Sequence, residues 1–159
     1  MHWQSTPYTL PLLLTSLIAA SLTGFAGRKR IAPGAIPFIW LMFALTLWSL
    51  GYALELTSAN LAAKLLWTKV EYIGILIVPT AFLSFTLQHT HREKRLTRRN
   101  VRVLALIPLI TLLVVWTNDY HRLFPHHTVL ETSGPFSMLD ITYCPFFWLH
   151  TAYSYTLLA

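Results

Sequence analysis

Two carboxylates, Glu55 and Glu71, carry the first hint of chemistry in this chain, because each stands near the end of a long apolar run with Lys64 and Lys69 between them. Carboxylates at membrane depth are costly and face a partner or a cavity. They can form the floor of an outward-facing ligand or ion site. They can equally pair with Lys64, Lys69 or interfacial water and simply hold two helices together. A second group lies further along: Asp119, His121, His126, His127 and His150 are residue types able to hold zinc or copper if a fold gathers them. Their spacing matches no standard metal motif, and no metal or other cofactor is assigned to them. The chain also contains no HExxH sequence, nucleophile motif or phosphate-binding glycine-rich loop. Nothing in it reads as an active site.

The elements that must position these residues are set by composition. Hydrophobic residues make up 55% of the chain and charged residues 11%, whereas about a quarter of a soluble domain is charged. The mean hydropathy is positive. Long uncharged runs alternate with short basic clusters, so the net charge of +6 reads as membrane topology and not as a nucleic-acid-binding face. The single cysteine, Cys144, excludes an intrachain disulfide and reads as a small apolar residue near a helix end. No signal-peptide pattern is present, since Arg28, Lys29 and Arg30 follow the first apolar run.

Four runs, about 8–26, 36–56, 70–87 and 101–117, approach the roughly 20 residues that a bilayer-crossing helix needs, and a fifth runs from 145 to 159. Backbone polar groups cannot go unpaired in lipid, and the period-two alternation of a barrel is absent, so the spans must be helices. The predicted fold is an all-α polytopic transmembrane bundle of four full spans and a truncated fifth. In span 1, Ser16, Ala20 and Gly24 recur at four-residue spacing and predict a buried face. Pro79 in span 3 and Pro108 in span 4 each remove a backbone hydrogen bond and can kink their helices.

Nine of the twelve basic residues fall in two loops, Arg28 to Arg30 and Arg92 to Arg102. The positive-inside rule places those loops in the cytoplasm and the N-terminus outside, in a multi-pass protein of the cell's inner (plasma) membrane. Trp3, Trp67, Trp116 and Trp148 then sit near the outer interface, where amphipathic rings are favoured. The run from Gln88 to Arg102, with His89 and His91, either contacts anionic lipid headgroups or serves topology alone, which already accounts for it. The connection between spans 4 and 5 is long for neighbouring helices.

Several pieces together carry a family resemblance: Trp67 with Glu71-Tyr72-Ile73-Gly74, Pro79 with Phe82 and Phe85, Ile107-Pro108, and Trp116-Thr117-Asn118 with His121. It continues at Phe147-Trp148 with His150 and at Ser154-Tyr155, and Leu54-Glu55-Leu56 also fits. From span 2 onward the chain resembles the N-terminal seven-transmembrane region of bacterial sensor histidine kinases, which is also found on diguanylate cyclases. The resemblance implies an extracytoplasmic N-terminus, seven helices, a cytoplasmic output domain, and a homodimer in the full-length protein. The chain departs from that pattern in lacking spans 6 and 7, a phosphoacceptor-histidine domain and an ATP-binding domain. Gln88-His89-Thr90-His91 also stands where a Tyr-Thr-Gly-like ending to span 3 is expected.

The expectation is therefore the membrane-embedded sensory input region of a two-component histidine kinase or similar receptor, not itself an enzyme, cut before its catalytic domain. Its partners are the lipid bilayer and an unidentified small-molecule or membrane signal, with no nucleic acid. The candidate sensing residues are Glu55, Glu71, Tyr72, Trp116, Asn118 and His121. The alternative is a small transporter or channel subunit that binds cargo near the same carboxylates. A membrane metalloenzyme using the outer histidines comes third.

Overall fold

A computed structural model describes residue 4 and residues 6–29, 34–90, 97–121, 125–131, 137–143 and 145–158. The helices follow in chain order: α1 (Thr9–Arg28), α2 (Ala35–Thr57), α3 (Leu61–His89), α4 (Arg98–Trp116) and the single turn α5 (Asn118–His121). Strands β1 (Pro125–Glu131) and β2 (Met138–Tyr143) precede α6 (Pro145–Leu158). Thr9–Arg28, Ala35–Thr57, Leu61–His89 and Arg99–Trp116 are each long and apolar enough to cross a membrane. At about 1.5 Å per residue, α6 with its 14 residues is shorter than a hydrocarbon core of about 30 Å. The all-α transmembrane bundle expected from composition is the observed architecture.

Two local features differ from expectation. Helix α3 begins at Leu61, well before Val70, because Asn60 caps it: the Asn60 side-chain oxygen accepts from the Ala62 amide at 3.0 Å. Lys64, Trp67 and Lys69 are therefore helical residues and not loop residues. The long connection between spans 4 and 5 is also not irregular, since β1 and β2 pair antiparallel from Glu131 opposite Met138 to Pro125 opposite Tyr143, with a bulge between Pro125 and His127. Pairing within the hairpin satisfies backbone groups that an irregular loop would leave to water.

Helix α2 is central, packing against α1 on one side and α3 on the other, while α6 lies against α3 and α4. Hydrophobicity does not drive helix association in lipid, so close backbone approach has to. The α2–α3 contact shows how. A Cβ on Gly74 would lie 2.5 Å from the Ala44 carbonyl oxygen and 2.8 Å from the Trp48 nitrogen, and one on Gly51 would lie 2.7 Å from Glu71 Cγ. One glycine from each helix thus lets the pair touch.

The buried face of α1 is not the predicted one. Ser16 is buried, but Ala20 and Gly24 are exposed, and a Cβ on Gly24 would meet nothing within 4 Å. The buried residues are Ser16, Ala19 and Ala26. Steps of three and seven follow the seam of two helices crossing at a shallow angle, whereas a strict four-residue stripe drifts round the helix away from its neighbour.

Candidate functional site

The bundle has two chemically distinct ends. At one, α2 runs into α3, the hairpin folds over, and Glu55 and Glu71 lie between the helices. At the other, α3 ends and α4 begins among the arginines.

Glu55 and Glu71 are 8% and 6% exposed, and their carboxyl groups are in hydrogen-bond contact with each other across the α2–α3 interface. Neither pairs with Lys69, whose Nζ instead reaches Asp119 Oδ2 at 2.7 Å and ties α3 to α5. Lys64, fully buried, donates from Nζ to the backbone carbonyl of Glu55 at 2.9 Å. That carbonyl belongs to the last turn of α2, where it also accepts from the Ser58 amide at 3.2 Å and where the helix dipole favours a cation. Ser58 closes the same turn by donating from Oγ to the Leu54 carbonyl at 2.7 Å.

Burial leaves unmet demand here. Glu71 Oε1 and Trp67 Nε1 are buried with no hydrogen-bond partner among the described residues. An unpaired acceptor and an unpaired donor near the same turns of α3 are costly in a low-dielectric interior. The arrangement can therefore exchange partners, because a group that bonded Glu71 Oε1 would gain what the resting structure forgoes. With Gly51 leaving no slack beside the Glu71 stem, such an exchange has to move α2 relative to α3.

Near this pair one residue ties the N-terminal segment and the hairpin to the end of α2. Gln4 Nε2 donates to the carbonyls of Leu56 (2.7 Å) and Ser137 (2.9 Å), and Gln4 Oε1 accepts from the Ser137 amide (2.9 Å) and hydroxyl (2.8 Å). The Gln4 amide also donates to the Thr57 carbonyl at 2.7 Å. The C-terminus of α2 and the start of β2 are thereby held by a single side chain. No feature of the sequence singles out Gln4.

The other expected sensing residues are spread along the same end. Tyr72 follows Glu71 on α3 and is half-buried, Trp116 is exposed at the end of α4, and Asn118 and His121 lie on α5. His121 Nε2 and Thr117 Oγ1 are 2.9 Å apart. His150 is buried on α6 with Ser154 Oγ 3.2 Å from its Nε2. Among the described residues no three His, Cys, Asp or Glu side chains are gathered as a metal would require. The side chains of His126 and His127 lie outside the described residues.

A third group of residues, which sequence inspection missed, links the two ends. Tyr153 on α6 donates its hydroxyl to the Leu104 carbonyl on α4 at 2.6 Å and lies 3.4 Å from Thr80 Oγ1 on α3. Leu104 is four residues before Pro108, and Thr80 directly follows Pro79. Three helices, two of them interrupted by proline, meet at one phenol. The signal was half visible: a proline inside a span announces an orphaned carbonyl but not the residue that serves it.

No curated protein and no solved structure matches the chain. The family described as the N-terminal 7TM region of histidine kinase matches residues 11–159, a stretch that takes in all the membrane-crossing helices except the first residues of α1, together with the carboxyl pair, the hairpin and the Tyr153 junction. The chain therefore belongs to that family, and its helices fit the membrane sensory input region that the family describes.

Proposed function

We propose that the chain senses a signal at its hairpin end and transmits it along α3 and α4 to the arginine-rich end, where a histidine kinase module reads helix position. The hairpin end faces the outside of the plasma membrane and the arginine-rich end faces the cytoplasm, as the distribution of lysine and arginine supports. The kinase domains belong to the full-length protein, which acts as a homodimer. The family match covers the sensory region and not a catalytic domain.

The observation that carries this reading is the buried contact of Glu55 with Glu71 at a glycine-tight helix interface. Ligands shift a two-state equilibrium only by binding one state better than the other. A signal that hydrogen-bonds Glu71 Oε1 does so, because it replaces an unmet acceptor with a satisfied one. Tyr72, Trp116, Asn118 and His121, on α3, α4 and α5 at the same end, are the other residues proposed to take part. Helix movement passes Gly74 and reaches the Tyr153 junction, where Pro79 and Pro108 give α3 and α4 places to bend.

The test is phosphorylation by a full-length relative, reconstituted in vesicles, with and without its signal. Glu71→Ala and His121→Ala are each expected to abolish or strongly blunt the response while basal phosphorylation persists. A full response in both variants would rule out this site. Orientation is tested separately: a reporter fused after Arg95 should register cytoplasm and one fused after His127 the outside.

A further inference from the structure

Between α2, α3 and α4 lies an apolar groove of about 630 Å³. Its mouth lies at the arginine-rich end, marked by Ile36, Gln88 and Val101, and it runs inward past Ala105 to Leu112. The twelve residues from Val101 to Leu112 rise about 16 Å at about 1.5 Å per step, close to the depth of one leaflet of a core about 30 Å thick. A slot running from the arginine-rich end along α3 and α4 fits a single hydrocarbon chain lying along the helices. Its volume falls within the roughly 300–1,000 Å³ typical of ligand pockets.

The charge at the mouth selects among lipids. Arg99 and Arg102 are exposed on the first turns of α4, and Arg102, Ala105 and Leu109 share one face by three- and four-residue spacing. No acidic residue lies in α4. A phosphate ester carried at the top of the chain would meet two guanidinium groups there, with the Gln88 side chain on the facing helix.

We propose that this groove binds one acyl chain of an anionic membrane phospholipid, whose phosphate is held by Arg99 and Arg102. The site runs from the arginine-rich end inward to Ile73, two residues from Glu71 on α3, and involves both proline-containing helices, so the lipid acts on the same moving parts as the signal.

The test uses the chain in nanodiscs doped with phosphatidylglycerol or phosphatidylcholine bearing a photoreactive group in the acyl chain, with crosslinks mapped by peptide. Crosslinking at Trp40, Ile77 and Leu109 should favour phosphatidylglycerol by about fivefold, the factor that one arginine near a charged surface supplies. Ala105→Trp, which fills the groove, should remove that excess, whereas Leu106→Trp on the exposed face should keep it. The double variant Arg99→Gln/Arg102→Gln should equalise the two lipids while groove labelling persists, and this arm stands even if Ala105→Trp fails to fold. Equal labelling by both lipids in the unaltered chain, or an excess that survives the double variant, would overturn the proposal.

Discussion

Tyr153 donates its hydroxyl proton to the carbonyl oxygen of Leu104 at 2.6 Å, the one carbonyl of α4 that Pro108 cannot serve. In water such a carbonyl would find a solvent partner. In lipid it has to find a protein one, and α6 supplies it.

Removing that hydroxyl should matter only while the proline is present. Tyr153→Phe is expected to cost about 1 kcal/mol, within the range for interhelical hydrogen bonds in membranes. In a Pro108→Ala background, where residue 108 regains its amide and bonds Leu104 within the helix, the same change should cost almost nothing. A double-mutant cycle of unfolding in mixed micelles measures the difference. Equal costs in both backgrounds would sever the link between Tyr153 and Pro108.

The glycines of the α2–α3 contact should rank by what they touch. Gly74→Ala places a methyl against the Ala44 carbonyl and the Trp48 amide, which cannot yield without moving backbone. A destabilisation of about 1–3 kcal/mol is expected. Gly51→Ala meets the Glu71 side chain first, so its signature should be a changed signalling response more than lost stability. Gly24→Ala, with open space around it, serves as the control and should leave both unchanged.

The two lysines of α3 should behave oppositely. Lys64→Met removes the charged donor to the Glu55 carbonyl and leaves it only the Ser58 amide, an expected loss of about 1–3 kcal/mol. Lys69→Met breaks an ion pair whose aspartate is 67% exposed, worth about 0–1 kcal/mol and weakened further by salt. Unfolding at low and high ionic strength distinguishes them, since only the Lys69 effect should fade.

Gln4→Ala should loosen the hairpin without unfolding the bundle, because its bonds join residue 137 to the end of α2 and leave the helix interfaces alone. Hydrogen exchange at residues 138–143 should accelerate, while amides of α2 and α3 keep their protection. Unchanged exchange in the hairpin would show that other contacts hold it.

Much of this architecture is legible residue by residue. Apolar runs of span length dictate helices, because lipid offers the backbone no other partner, and the clusters at Arg28 and Arg92 to Arg102 mark one end of the bundle whichever way it faces. Glu55 and Glu71 stand out by type alone, since a carboxylate at that depth needs a reason. Their partners do not stand out. Proximity along the chain suggests Lys64 or Lys69 as a counter-ion; Lys64 does act on the Glu55 charge while its Nζ bonds the Glu55 carbonyl, but Lys69 takes Asp119, and the carboxyls face each other.

The same division runs through the rest of the molecule. The chain determines by itself that there are membrane helices, where their apolar cores lie and which carbonyls proline will orphan, because these follow from local composition and covalent geometry. Only the tertiary structure decides which small residues face a neighbour, as Ala19 and Ala26 in place of Ala20 and Gly24 show, since that depends on crossing angles absent from any one helix. It also decides that Tyr153 answers Pro108 across 45 residues, and that Gln4 joins two distant segments. Hydrogen bonds in a bilayer are obligatory in number but open in partner, and the partner is chosen by packing.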